Sequence, residues 1–206
     1  MTEIPPELMQ KFSTDANGGF PNVTPKDAAT LILLDRTGPE PKVLMGKRHD
    51  RHVFMPGAYV FPGGRLDPID RTMPVAASLD PRAEQKLMAQ IKRPNPAKAR
   101  ALALAAVRET FEETGLLLGA KSSNISDKLP AKPDNKPGNA WAAFIEAGIL
   151  PDLSTMHFVA RAVTPPRRKR RYDTRFFTAD ASTIAHRIDG KVGAEFELIE
   201  LVWLPL

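Results

Sequence analysis

The chain has 206 residues, a net charge of +5, 20 prolines and no cysteine. Its length suits one well-buried domain with a decorating insertion. The absence of cysteine excludes disulfides, thiolate zinc sites and cysteine nucleophiles, and the mild positive charge suits an anionic partner such as a phosphorylated metabolite. Prolines are at about twice their usual share of roughly 5% and point to stiff connections. The polar segment Met1 to Phe20 has no apolar run for a signal peptide. No stretch approaches the ~20 apolar residues of a membrane span, so a cytoplasmic protein is expected.

In chain order, residues 1–26 read as an irregular lead-in rich in Pro and Gly, and residues 27–206 as a single domain. Asp27–Asp35 (DAATLILLD) reads as a buried strand and Lys42–Arg48 (KVLMGKR) as its hairpin partner, joined by the turn RTGPEP. Ala58–Phe61 is a further short strand, expected to stop at Pro62-Gly63-Gly64. From Arg65 to Pro96 the texture is polar and proline-punctuated, with one weakly helical piece at Pro81–Ile91, and it reads as an inserted excursion.

Asn95-Pro96 opens the clearest helix, with Asn as N-cap and Pro in the first helical position. Ala97 to Thr114 follows, and Gly115 is placed to end it in a left-handed conformation, with Leu116 and Leu117 folding back onto the helix. After a proline-rich loop, Asn139–Ala147 reads as a short helix. Met156–Val163, Tyr172–Ala179 and Leu198–Leu204 read as strands. The order of strands and helices lacks βαβ regularity, so the fold class is α+β.

The helix carries the chemistry. Leu104, Val107 and Phe111 form an apolar stripe, and Glu109, Glu112 and Glu113 fall within one arc of roughly 100°. Like charges at this spacing repel. Arg108 can pair with Glu112, four residues on, which leaves two acids without a helical partner. Taken alone, such a run is as well explained by a solvated acidic face. The alternative is a site for a hard divalent cation, which takes carboxylate oxygens together with water and substrate phosphate. The upstream pair Gly63-Gly64 lets backbone approach a ligand closely and exposes carbonyls.

The run Arg108-Glu109-Thr110-Phe111-Glu112-Glu113-Thr114-Gly115-Leu116 resembles the second half of the Nudix box, R-E-U-x-E-E-x-G-U with U apolar, except at Thr110. The resemblance implies a Nudix-type α/β/α sandwich with a mixed, curved sheet. It also implies metal-dependent pyrophosphate hydrolysis with Mg²⁺ or Mn²⁺ as cofactor. By it, Glu109, Glu112, Glu113 and the Gly64 carbonyl would hold the metal, and Arg108 would orient a glutamate. The full box runs G-x5-E-x7-R, yet Gly64 and Arg108 lie 44 positions apart instead of 14. An insertion at about 71–96 accounts for this. Counting forward from Gly64, the first acid falls on Asp70. Counting back from Arg108, it falls on Arg100, which is not acidic.

Interrupted boxes of this kind are similar to those of peroxisomal acyl-CoA diphosphatases and their bacterial relatives. That branch implies CoA or an acyl-CoA as first substrate, a nucleoside diphosphate linked to another group as second, and an oxidised nucleoside triphosphate as third. Arg48, Arg65, Arg168, Arg170, Arg171 and Arg175 are candidates for gripping substrate phosphates, as Arg matches phosphate geometry bidentately. Glu195 and Glu197 are candidate general bases. Each of these also reads as ordinary surface charge, as does the pair His49 and His52. The basic run RRKRR, with only Tyr172 beside it, carries little weight for nucleic acid. No G-x-S-x-G elbow, P-loop or dinucleotide fingerprint is present. The rival class is a non-catalytic ligand-sensing or RNA-binding module on the same fold, favoured by Arg100 and the basic loop and opposed by the three glutamates. Many Nudix proteins are homodimers, and nothing in the sequence marks an interface.

Overall fold

A computed structural model describes residues 20–51, 57–89, 93–123, 125 and 140–206. His52 lies outside them. In chain order the first elements are β1 (Lys26–Asp35), β2 (Lys42–Arg48), β3 (Tyr59–Val60), β4 (Gly63–Arg65), a 3₁₀ turn (Pro68–Arg71), α1 (Pro81–Met88) and α2 (Pro96–Thr114). Then come β5 (Leu116–Leu118), β6 (Ala120–Lys121), α3 (Ala140–Glu146), β7 (Ile149–Leu150), β8 (His157–Val163), β9 (Tyr172–Asp180), β10 (Ile184–Arg187) and β11 (Leu198–Pro205).

Strand β1 is the centre of the sheet. It runs parallel to β9 over nearly its whole length, from Lys26 opposite Tyr172 to Leu34 opposite Asp180. Every other pairing in the sheet is antiparallel, and β8 and β11 form its two edges. The architecture is the α+β, mixed-sheet fold expected from the sequence.

The flank of β1 away from β9 is divided. Its C-terminal end pairs with β2, Leu34 opposite Val43, while its N-terminal half pairs with β4, Ala29 opposite Gly64. The far end of β2 pairs instead with β3. So β1 and β2 diverge, and residues 59–65 fill the wedge, changing partner at Phe61-Pro62. This corrects the expectation that strand structure ends at Pro62. Proline has no N–H to donate, but the Pro62 carbonyl accepts from Leu31 N at 3.0 Å and carries the ladder through.

Helix α2 packs on β1, β4 and β9 and is covered in turn by α1 and α3. Ala99, Ala101, Ala103, Ala105 and Ala106 are at most 3% exposed, so the stripe Leu104, Val107, Phe111 is only part of its buried surface. A helix apolar nearly all round is a core helix. The segment after Asp70 is packed as well. Leu79, Ala83 and Leu87, one turn apart, join the core with Met73, and Asp80 caps α1 by accepting from Arg82 N at 2.8 Å. Arg100 pins the start of this segment, donating to the carbonyls of Arg71 and Met73. Leu116 to Leu118 do not simply fold back on the helix; they form β5 and pair with β10, an element with too short an alternation to be read from sequence. Among the described residues no helix is long and apolar enough to cross a membrane.

Candidate active site

Both ends of α2 are fixed locally. The Asn95 side chain accepts from Lys98 N at 3.2 Å, and Gly115 ends the helix at φ 77°, where a Cβ would strike the Ile188 carbonyl. Thr110, where the family motif is apolar, is fully buried and returns its hydroxyl to the Ala106 carbonyl at 2.7 Å, so its polar atom is satisfied within the helix. These constraints place the last two turns, with Arg108, Glu109, Glu112 and Glu113, against β4.

Arg108 is the hub. Its Nε and Nη2 grip Asp70 at 2.8 and 3.1 Å, Nη1 meets Glu112 at 2.7 Å and Glu109 at 2.9 Å, and Nη2 also donates to the Arg65 carbonyl at 2.8 Å. Asp70 is fully buried at the end of a one-turn 3₁₀ helix, and it accepts from Asp67 N at 2.8 Å as well. The acid counted forward from Gly64 therefore reaches the box arginine in space, while the position counted back, Arg100, serves as a tether. With its oxygens taken by Arg108 and Asp67, Asp70 braces the arginine. Burial pushes the Asp70 carboxyl up, against the pull of Arg108.

Glu109 and Glu113 face the glycine pair. A Cβ on Gly64 would collide with the Glu109 carboxylate, and the Gly63 N–H donates to Glu113 Oε2 at 3.4 Å. Glu113 is 7% exposed. Burial holds its carboxyl well above the usual range, and the charges of Glu197 and Glu109 add to this. Burial raises Glu109 to about 7 despite its ion pair with Arg108, because one guanidinium is shared among three acids and Glu112 adds repulsion. Burial raises Glu112 too. Of the two acids considered for proton transfer, Glu197 stands near Glu113 and is paired to Arg48 at 2.8 Å, whereas Glu195 is exposed in the preceding turn and enters none of these contacts.

The solvated acidic face is thus not what the chain builds. Its acids are half to fully buried, crowded, and short of positive charge. An all-oxygen donor set with half-buried glycine backbone beside it fits a hard divalent cation. As the side chains stand, Glu109 and Glu112 lean on Arg108, and among the described residues no three acids already converge on one point. Among the described residues Glu113 has only the long hydrogen bond from Gly63, and it is the acid most in need of a cation.

The arginines divide. Arg48 lies beside Glu197 at the acid cluster. Arg65, Arg170 and Arg171 line a cavity of about 500 Å³ that Thr24, Lys26, Lys169 and Tyr172 complete. Arg168 is half-buried in the same loop and is not among the lining residues. Arg175 requires a correction. It is 2% exposed and its Nη1 is held by Asp27 at 3.0 Å, by the Asp173 carbonyl at 2.7 Å and by the Asp173 carboxylate at 3.0 Å, so it cannot reach a substrate. Alternation carried the signal: Arg175 shares its strand face with the buried Phe177 and Ala179. Lys169 belongs to the run RRKRR, whereas Lys26 was missed because only the pairing of β1 with β9 brings the lead-in to the arginine loop.

A family model described as the NUDT19 Nudix domain matches residues 25–203. The chain is 28% identical to acyl-coenzyme A diphosphatase NUDT19 of Gallus gallus, over 74% of this chain and 54% of that one. It thus spans about half the length of this curated relative. A crystal structure of a Nudix hydrolase from Alicyclobacillus acidocaldarius superposes with a TM-score of 0.59 at 31% identity, covering 89% of this chain and 80% of that one.

Proposed function

This chain belongs to the Nudix family of pyrophosphohydrolases, and from that premise we propose that it hydrolyses the pyrophosphate linkage of CoA or an acyl-CoA with Mg²⁺ or Mn²⁺ bound at α2. The observation that carries the proposal is the pair Glu109 and Glu113, buried against Gly63-Gly64 with too little positive charge to balance them. The likeness to an acyl-CoA diphosphatase supports the choice of substrate.

Glu113, Glu109 and the Gly64 carbonyl would hold the metal, with Glu112 exchanging its Arg108 contact for it. When bound, the cation supplies an activated water and charge to meet the phosphoryl oxygens. The chain's own residues do the rest. Arg108, held by Asp70 and the Arg65 carbonyl, keeps the acids aimed at β4. Glu197, oriented by Arg48, accepts the proton of the attacking water. Water adds to one phosphorus, the bridging P–O bond breaks, and two monophosphates leave. The rival reading, a non-catalytic sensing or RNA-binding module, rested on the missing acid at Arg100 and on the basic loop; the contact of Asp70 with Arg108 weighs against the first ground.

The test is product release from a panel of CoA, acyl-CoA, NADH, ADP-ribose and 8-oxo-dGTP with Mg²⁺, Mn²⁺ or EDTA, on wild type and Glu113→Gln. CoA turnover that EDTA and the substitution abolish is the expected result. Turnover of another panel member alone would replace the substrate, and no turnover with either metal would sink the enzymatic reading.

A further inference from the structure

We propose that the basic cavity is a built subsite for a second phosphate, a phosphomonoester carried by the nucleotide end of the substrate and separate from the anhydride that is cut. This deepens the function proposed above and rests on it for the identity of that nucleotide.

The sheet register places the cavity. Gly64 pairs with Ala29, and a Cβ there would point at Glu109 on α2. Side chains alternate along a strand, so Arg65 points to the opposite face. Arg65 pairs with Ala28, which shares that face with Lys26, and Lys26 lies opposite Tyr172. Arg65, Lys26 and Tyr172 thus converge on one face by pairing alone, and the acids lie on the other face of the same strand. The cavity begins one residue beyond the glycine that faces Glu109, about 3.8 Å along the backbone. Because the two sites lie on opposite faces, a ligand whose pyrophosphate lies at Gly64 must pass round the end of β4, at Arg65, to place its next phosphate group in the cavity.

The wall is made for an anion. Lys26, Arg65, Lys169 and Arg170 stand together, and among the described residues no acid lines the cavity. Their mutual repulsion opposes folding, and a cleft of one charge sign concentrates anions. The rim is held in place. Arg171 donates to the Thr164 carbonyl at 3.1 Å, to Asn22 Oδ1 at 2.6 Å and to the Val23 carbonyl at 2.7 Å, which ties the lead-in to the arginine loop. Its backbone carbonyl accepts from Lys26 N at 2.9 Å. Arg171 is a positioning residue, while the four other cations are left to meet the ligand. At about 500 Å³ the space is of the size that small organic ligands fill, and Tyr172 offers an aromatic edge to a base.

The probes are adenosine 3′,5′-bisphosphate, which carries the extra phosphomonoester, and AMP, which lacks it. Binding is measured calorimetrically in EDTA, so that the acid site contributes nothing, and turnover is compared for CoA and 3′-dephospho-CoA with Mg²⁺. Wild type is expected to bind the bisphosphate about tenfold more tightly than AMP, or better, from charge-assisted contacts. Lys26→Glu/Lys169→Glu is expected to erase that preference, and Arg82→Glu/Lys86→Glu, an equal charge change on the exposed side of α1, to keep it. Equal affinity for the two nucleotides, equal loss in both double variants, or an RNA oligonucleotide that binds more tightly than the bisphosphate would each overturn the subsite. Bisphosphate preference without CoA turnover upholds the cavity and removes CoA as substrate. CoA turnover with no such preference does the reverse.

Discussion

Two charge clusters flank the short strand β4, and they are built on opposite plans. On the α2 face three acids share one guanidinium with a fourth, Glu113, close by, and Asp70, Arg108 and Glu113 are at most 7% exposed. On the other face Lys26, Arg65, Lys169 and Arg170 are exposed, and among the described residues no acid lines the cavity. The acid side is set by burial and close contact, where each group holds another. The basic side is set by summed charge, where groups act in parallel. The difference teaches where single substitutions are decisive and where they are gradual.

Four experiments probe that contrast, from the largest effect down. Arg108→Ala leaves Asp70 buried with no cation, and loss of about 3–5 kcal/mol of unfolding free energy is expected in urea titration. A loss under 1 kcal/mol would show that the hub is replaceable. Glu113→Gln keeps shape and removes charge, and kcat should fall about 10²–10³-fold, the scale of losing one preorganised electrostatic partner, with the folded state kept.

The third is a pH series. Glu109 is raised in the folded state, so the fold favours its protonated form. Its contribution is fully present below the ordinary range near 4.5 and is lost as pH rises through about 7. In EDTA, stability should therefore decline across that window, by up to about 3 kcal/mol. Mg²⁺ should flatten the slope, and Glu109→Gln should reduce it without abolishing it, since burial raises Asp70, Glu112 and Glu113 as well. Asp35, Asp173 and Asp180 are lowered in the fold, and their contributions are lost only in more acidic solution, so they leave this window clear. A flat profile in EDTA would mean the acids are already balanced. The smallest effect is expected for Asn95→Ala, about 1 kcal/mol from the lost cap, seen as a modest drop in Tm.

What the sequence disclosed follows the same division. The α2 boundaries were legible because Asn95, Pro96 and Gly115 act on their own neighbours. Asp70 was legible as the acid that counting forward from Gly64 reaches, but its contact with Arg108 was not, because the segment between them hides how the two halves of the box meet. The cavity was only partly legible. The arginine loop is visible as a run, but its meeting with Lys26 depends on the parallel pairing of β1 with β9, between segments nearly 150 residues apart. Arg175 was misplaced because its basic neighbours outweighed the alternation that buries it. The β4 strand was hidden because proline and two glycines signal a stop unless the partner strand supplies the missing bonds.

The alanines of α2 carry a consequence for heat and time. Ala99, Ala101, Ala103, Ala105 and Ala106 have no rotamers to exchange, so much of the buried surface of the helix that bears the acids cannot be loosened one side chain at a time. Thermal agitation can fray the exposed loops and still leave the acids in register with β4. The catalytic geometry then persists until the whole core opens at once.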